Sequence, residues 1–428
     1  MKTLLLFAFA ASLAGAPLFD GKSGGWTVWS ARAETAPKCF SDEQHYRTRP
    51  ASLAISGNSN AAEHGGWRRS VAGVEPGRWY RLTAWYRSEG VPYESLQVLA
   101  RLDWRDARDR RAGQPEYAWQ ARREGAWTRV TLDAPAPEQA ASVTLELYLS
   151  NAPLGTVWWD DVRLEPVAAP APRPVTVASV NLRPRGTKSA AESVERFIET
   201  IGRTVTGKTD VILLPEGITV VGTKLKYADV AESVPGKTTA RLGEVAKARN
   251  SYIAAGLYER EGGAVYNTAV LIDRAGNLAG KYRKVYLPRE EIEGGITPGS
   301  TYPVFRTDFG TVGMMICYDV FFADPARALA TRGAEMILMP IWGGDQTLGK
   351  ARAIENKVFL ATSGYDYPTY VMDPDGEILS QAPRDGSAAV VSVDLARRYR
   401  DPWLGDMHSR RMKELRLDVP PPLPGFEN

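Results

Sequence analysis

The stretch 312-VGMMICYDVFF-322 ends an apolar run on Cys317 and follows it at once with Tyr318 and Asp319. A cysteine so placed reads either as a small buried hydrophobe or as a nucleophile at the tip of a strand. The second reading needs a proton acceptor. The chain has three histidines, His45, His64 and His408. The first two fall in a separate N-terminal region, which leaves only His408 for a Cys-His pair or a Ser-His-Asp triad. A carboxylate is the alternative base. The segment 210-DVILLPEG-217 puts Glu216 at the end of an apolar and therefore buried strand. Burial makes a carboxylate a better base near neutral pH, but a lone buried glutamate is costly unless paired. The segment 280-GKYRKVYLP-288 offers Lys284 as the partner. Its ammonium balances a thiolate and can stabilise a tetrahedral oxyanion. The backbone N–H of Tyr318 is a candidate second donor. Taken singly, each residue has a plainer reading: Cys317 as core filling, Glu216 as a strand-end charge, Lys284 as a solvated lysine.

These residues sit in a region that alternates strand and helix. Apolar strand candidates are 175–181, 210–217, 252–259, 267–273, 311–319, 335–342 and 357–366. Ser189 with Glu192 makes a capping box before a helix whose Val194, Phe197, Ile198 and Ile201 share one face. Asp324-Pro325 marks another helix start, with Gly333 as its end. Two glycine-centred turns, 273–277 and 373–377, read as hairpin connections. Gly236-Lys237-Thr238 lacks the upstream glycine of a phosphate loop, where Ala231 stands, and reads as a turn before a helix. No HExxH helix, CxxC pair or GxSxG elbow occurs. The whole is an α/β layered domain.

The preceding region is different. Ten of twelve tryptophans lie between Trp26 and Trp159. Segments such as 79–88, 127–135, 143–150 and 157–166 alternate apolar and polar residues, which is the pattern of a β-sandwich or jelly roll. A stiff linker, 165-EPVAAPAPRPV-175, separates the two regions. The organisation expected is a signal peptide over 1–16, a β-sandwich over 17–165, a linker over 166–174, an α/β domain over 175–395 and a tail over 396–428.

Composition bounds the function. Hydrophobic residues make up 44% and charged residues 24%, as in a folded globular chain. Lys+Arg total 53 and Asp+Glu 50, which argues against a nucleic-acid-binding surface. Lys2, the apolar run Leu4–Ala14 and the small residues 14–16 read as an export signal, placing the mature chain in the periplasm or outside the cell. No other segment has the ~18 apolar residues needed to span a bilayer. Cys39 and Cys317 are expected to stay unpaired, since they fall in different regions.

The order Glu in "LLPEG", Lys in "KYRKVYLP" and Cys in "GMMICYD" resembles the nitrilase superfamily of carbon-nitrogen hydrolases. The resemblance covers roughly Val175–Leu395. It implies a four-layer αββα sandwich and a Glu-Lys-Cys triad: Glu216 the general base, Lys284 the oxyanion stabiliser, Cys317 the nucleophile. It implies no metal or organic cofactor, a small amide-type substrate and a homodimer or larger assembly, with the tail crossing to a partner. It also implies a second glutamate in the loop 289-REEIEGGITPGS-300; Glu293 is the first choice, Glu291 the second and Glu290 the third. Arg352, Glu355 and Asn356 match a family helix and are expected to be mainly structural. Asp319 either caps the turn after the nucleophile or lines the pocket. Cys-Tyr-Asp in place of Cys-Trp-Glu leans away from nitriles, so amide hydrolysis ranks first, N-carbamoyl hydrolysis second and nitrile hydrolysis third. Acyl transfer and a non-catalytic scaffold are the rivals. In the first region, 79-WYRLTAWYR-87 and Trp158–Val162 resemble galactose-binding-like and carbohydrate-binding-module jelly rolls, and the tryptophan surplus suggests exposed aromatic faces for a glycan.

Overall fold

The computed structural model describes residues 17–21, 24–416 and 418–419, so the segment read as an export signal lies outside the described residues. The chain divides into two compact units. One holds the described residues up to Pro170 together with those from Arg400 onward, and the other is Ala171–Tyr399.

In the first unit, alternating segments become strands with one face inward. Along Trp127–Pro135 every second residue is buried: Thr128, Val130, Leu132 and Ala134. Two antiparallel sheets form. The five-stranded one runs Thr27–Ser30, His64–Ala72, Ser142–Ser150, Val98–Arg105, Glu116–Tyr117. The six-stranded one runs Lys38–Asp42, Ser52–Ser56, Thr156–Val167, Trp79–Glu89, Trp127–Pro135, Gln120–Glu124. Leu53, Leu82, Trp104, Leu145 and Trp159 belong to one core drawn from both sheets. The expected exposed tryptophans are not found. Trp26, Trp67, Trp85, Trp104, Trp158 and Trp159 are buried, and Trp29, Trp79, Trp119 and Trp127 half-buried. Polar neighbours cover the outer faces: the Arg47 guanidinium lies 3.9 Å from the Trp85 ring, and the His45 ring 4.7 Å from that of Trp158.

The described part of the tail packs within its own chain. From Arg400 it belongs to the β-unit of its own chain. Its helix, Met407–Glu414, is fixed there by Lys413 Nζ donating to the Val98 carbonyl at 3.2 Å and by His408 against Trp119 at 4.6 Å. Arg400 pairs with buried Glu116 at 2.9 Å.

The second unit has two six-stranded sheets with parallel centres and antiparallel edges. The first runs Leu278–Arg283, Ala264–Ile272, Tyr252–Glu261, Val211–Leu213, Pro174–Asn181, Ser387–Asp394, and the second Val304–Arg306, Thr311–Met314, Met336–Pro340, Phe359–Ser363, Tyr370–Met372, Ile378–Gln381. Their central strands read as continuous apolar runs because both faces are covered. Val177, Val211 and Leu213 pack against Met314, Met336 and Leu338 of the other sheet. The opposite face, Ala178, Ile212 and Ile253, packs on Phe197 and Ile201 of the helix Ala190–Thr204 and on Leu242 of Lys237–Arg249. In the second sheet Ile337, Met339 and Leu360 pack on Leu329 of the helix Ala323–Thr331 and Ala353 of Gln346–Asn356.

Local signals act with small shifts. Ser189 Oγ accepts from Glu192 N at 3.2 Å, while the Glu192 carboxylate takes the N–H of Lys188, one residue earlier than a strict capping box. Both glycine turns close hairpins, with Asp273 N to Asn277 O and Asp373 N to Glu377 O each at 2.9 Å or less. Asp324 is not the cap expected of it. The helix already begins at Ala323, so Asp324 lies in its first turn.

Candidate active site

The strand carrying Glu216 stops at Leu213, and the glutamate stands in the turn beyond it. The turn is held against the neighbouring strand by Leu214 N to Ala254 O, Gly256 N to Pro215 O and Ile218 N to Gly256 O. The approach is so close that a Cβ on Gly256 would sit 2.6 Å from the Glu216 Cα. Tyr365 donates its hydroxyl to the Glu216 carbonyl at 2.9 Å.

Lys284 follows the strand Leu278–Arg283 and is 1% exposed, as befits a lysine lying between carboxylates. Its Nζ donates to Glu216 Oε1 at 2.9 Å and forms an ion pair with Glu291 Oε2 at 2.9 Å without the alignment of a hydrogen bond. Burial alone would lower its pKa, but Glu216, a Cys317 thiolate and Glu291 outweigh that and hold the ammonium well above the ordinary lysine value. Burial pushes the Glu291 carboxyl up, with Glu216 adding to it and Lys284 opposing.

The loop glutamate at the site is therefore Glu291. Glu293, the first choice from the sequence, points away, with 61% of its side chain exposed, and pairs with Arg289 at 2.7 Å. The reason is helical phase. Arg289–Glu293 is one helical turn, in which 289 and 293 share a face and 291 lies on the opposite one. Glu290, the third choice, is exposed at the cavity rim.

Asn267, which the sequence reading passed over, completes the cluster. Its Nδ2 donates to Glu216 Oε1 at 2.7 Å and to Glu291 Oε1 at 2.5 Å. Two carboxylate neighbours fix which end of the amide faces them. Glu216 Oε1 is thus occupied by Lys284 and Asn267, whereas the buried Oε2 accepts no hydrogen bond among the described residues.

Cys317 opens the 3₁₀ turn Cys317–Phe321 with φ +45°, a left-handed conformation that is strained for a residue with a side chain. Its Sγ donates to the Gly343 carbonyl at 3.3 Å. Burial pushes the thiol up to about 12, Glu216 adding to the shift and Lys284 opposing it. Asp319 caps this turn and does not line the cavity. Its Oδ2 accepts Ile316 N at 2.9 Å and the Tyr282 hydroxyl at 2.7 Å, and its Oδ1 accepts Tyr286 N at 3.0 Å. It therefore ties the cysteine turn to residues on both sides of Lys284, through the Tyr282 side chain and the Tyr286 backbone. Arg352, buried, donates from Nε to the Val320 carbonyl at 3.1 Å and holds the far side of the same turn. Glu355 pairs with Arg352 at 2.9 Å, and Asn356 Nδ2 donates to the Arg352 carbonyl at 3.0 Å.

Glu216, Lys284, Glu291, Cys317 and Tyr318 line one cavity of about 1090 Å³. Tyr318 is the second residue of the turn, where amides lack helical acceptors. No histidine lines the cavity: His45 sits on Asp42, His64 on Ser150 and His408 on Trp119. Both cysteines are free. Among the described residues no three His, Cys, Asp or Glu side chains gather as a metal-binding group.

A family model for carbon-nitrogen hydrolases matches residues 176–403. The chain belongs to that family. It is 30% identical over 231 residues to the omega-amidase NIT2 of Homo sapiens, covering 48% of this chain and 84% of that one. With the omega-amidase NIT2 of Bos taurus it shares 32% over 213 residues, 43% of this chain and 76% of the other. Among solved structures, an amidase from Nesterenkonia sp. aligns with a TM-score of 0.46 at 24% identity, over 57% of this chain and 96% of its own. The chain is thus a carbon-nitrogen hydrolase of the nitrilase superfamily with omega-amidases among its relatives. This hydrolase carries, beside its family domain, an additional β-rich unit.

Proposed function

We propose that this hydrolase cleaves amide C–N bonds through Cys317, Glu216 and Lys284, with Glu291 and Asn267 holding the base and the ammonium in register. The observation that carries this reading is the Lys284 ammonium 2.9 Å from both Glu216 and Glu291 in the cavity that Cys317 lines. A thiol pushed up to about 12 is almost wholly protonated at neutral pH, so attack requires a base in contact at the moment of reaction. Glu216 Oε2 takes the thiol proton as Sγ bonds to the carbonyl carbon. Lys284 and the Tyr318 amide hold the oxyanion. Collapse breaks the C–N bond, and Glu216 returns the proton to the departing ammonia or amine, leaving a thioester. Water then enters, loses a proton to Glu216 and releases the acid, and the proton goes back to Cys317.

Cys317→Ala and Glu216→Gln are each expected to abolish ammonia release while leaving the fold intact. Wild-type Cys317 mixed with a slow amide should gain the acyl mass as a thioester. Full activity in either variant refutes the assignment. Ureido acids and nitriles rank below amides, and the same ammonia assay orders the three. Added amines test transfer in place of hydrolysis.

We read the layers of the second unit as an αββα sandwich and the first unit as a jelly roll. Glycan targeting by the first unit rests on its sequence resemblance to carbohydrate-binding modules, and retention on insoluble polysaccharide tests it. Export rests on the sequence of residues 1–16, with N-terminal sequencing of the secreted chain as its test. Pairing of two copies rests on the family resemblance, and sedimentation tests it.

A further inference from the structure

A carboxylate lies buried behind the site. Glu259 is 1% exposed, yet it does not line the cavity. A carboxylate so placed is costly unless donors surround it. Arg283 donates to both of its oxygens, from Nε at 3.0 Å and from Nη2 at 2.7 Å. The Thr268 hydroxyl donates at 2.9 Å, and Lys281 Nζ donates as well. Arg283 is itself steadied by Tyr266, whose ring centre lies 3.8 Å from the guanidinium. Burial pushes the Glu259 carboxyl up, but these donors outweigh it and hold the group below the usual glutamate value, so it is charged at neutral pH.

Two of the donors are chain neighbours of the site. Thr268 follows Asn267, Arg283 precedes Lys284, and Thr268 stands opposite Arg283 in the pairing of Ala264–Ile272 with Leu278–Arg283. Successive residues of a strand face opposite sides of their sheet. Asn267 turns to the catalytic cluster, while Thr268 shares the other face with Val270 and Ile272, which pack towards the helices. Glu259 thus binds the back of the two strands whose fronts deliver the amide and the ammonium. The two fronts are joined directly, since Lys284 N donates to the Asn267 carbonyl at 2.9 Å. The loop bearing Glu291 is fixed to the same pair: Thr297 N donates to the Val265 carbonyl at 2.7 Å and Gly299 N to the Lys284 carbonyl at 2.8 Å.

On the amide-hydrolase reading given above, we propose that Glu259 is a positioning residue for that reaction: by tying Thr268 to Arg283 behind the sheet, it sets where Asn267 and Lys284 stand against Glu216 and Cys317. It acts through these neighbours and not on the substrate. The lever is large, because a misplacement of about 1 Å at a reacting group can cost about 10²-fold in rate.

The test uses the full chain. Thr268→Val keeps the shape of the side chain and removes the hydroxyl, whereas Thr268→Ser keeps the hydroxyl and removes a methyl. If Thr268 merely packs, serine is the more damaging change. With Glu259 as the brace, valine should lower kcat on an amide about tenfold with KM little changed, and serine should retain most of the activity, whichever of the two melts lower. Glu259→Gln should lower kcat by about 10²-fold. Glu261→Gln, which removes only an exposed partner of Arg283, should be silent. A second readout needs no turnover. Lys284 opposes the rise of the Cys317 thiol, so a displaced ammonium leaves less thiolate. Alkylation of Cys317 by iodoacetamide at pH 8, followed by mass on its peptide, should slow about tenfold in Glu259→Gln and Thr268→Val, whereas a merely loosened fold would expose the sulfur and speed it. Equal kcat in the valine and serine variants, or alkylation that is unchanged or faster without the brace, overturns the proposal. Should Glu259→Gln fail to fold, the Thr268 pair decides alone. Absence of turnover with every amide strikes the amide-hydrolase reading, and the alkylation rates then still decide whether Glu259 positions Lys284.

Discussion

Replacing Asp319 by asparagine separates what a buried carboxylate costs the fold from what it does for the site. Burial pushes Asp319 up to about 6, against the pull of the donors from Ile316, Tyr282 and Tyr286 and of Lys284. An unfolded aspartate titrates near 3.9, so the difference of roughly 2 units corresponds to about 3 kcal/mol. The folded value is the higher one. The stabilising share is therefore fully present below about pH 4 and is lost as pH rises through about 6. The asparagine amide cannot ionise and lacks this slope. It has its own penalty: one oxygen can keep Ile316 N–H and the Tyr282 hydroxyl, but its amino group then faces Tyr286 N–H and leaves a buried donor unpaired, at about 1–3 kcal/mol. At pH 7.5 the two effects nearly cancel, and at pH 4.5 only the penalty remains. Urea unfolding of both proteins at the two pH values is expected to show the wild-type advantage shrinking by roughly 2 kcal/mol on going from the lower pH to the higher. Tyr286 lies two residues beyond Lys284, so loss of its tether should also shift the ammonium and reduce kcat at pH 7.5 by about tenfold or more. An advantage that is the same at both pH values would refute the electrostatic account, and unchanged kcat would refute the clamp.

Three further outcomes are expected. Glu291→Gln should lower kcat/KM by about 10²-fold, since it uncouples Lys284 from its second carboxylate, while Glu293→Gln should be silent; steady-state assays of the pair decide which acid serves the site. Asn267→Leu removes two charge-assisted hydrogen bonds, and with the donor gone Glu291 rises further, so the acid limb of kcat/KM should move to higher pH and the unfolding midpoint should fall. Burial pulls Lys413 down to about 8, below its unfolded value. The wild type should therefore gain up to about 3 kcal/mol as pH rises from about 8 towards 10.5, and Lys413→Met should lack that gain in thermal unfolding followed against pH.

The residues that bring charge or sulfur to the end of an apolar run were legible, because a strand buried on both faces leaves its termini as the places where polar groups stand. Val211–Leu213 and Thr311–Met314 are such strands, each with a parallel neighbour, and Glu216 and Cys317 fall just beyond their C-terminal ends. In layered α/β folds, ligands gather at that end. Less legible was whatever depends on the phase of a short element. Among three acids in five residues, only the direction of one helical turn decides which faces in, and a single turn has no apolar stripe to set it. The available hint was the Arg289–Glu293 spacing, which marks a solvent face and leaves Glu291 opposite.

Asn267 was missed for a related reason, and its case shows how such residues can be found. It begins a segment read simply as an apolar strand. With a period of two, Asn267 shares its face with Ala269 and Leu271, which pack into the core between the two sheets. An amide on that face has no water to satisfy it and must meet polar groups of its own chain. The same holds for Asp319, whose three donors are all buried or backbone groups. A polar residue on a face whose next members are core is thus a sign that a buried polar cluster lies nearby, even where the sequence does not say which residues complete it. Here the two such residues bracket the site. Asn267 aligns the carboxylates on one side of Lys284, and Asp319 fixes the cysteine turn on the other. Glu216 and Lys284 follow strands of one sheet and Cys317 a strand of the other, so the cluster depends on buried polar neighbours that fix both sides.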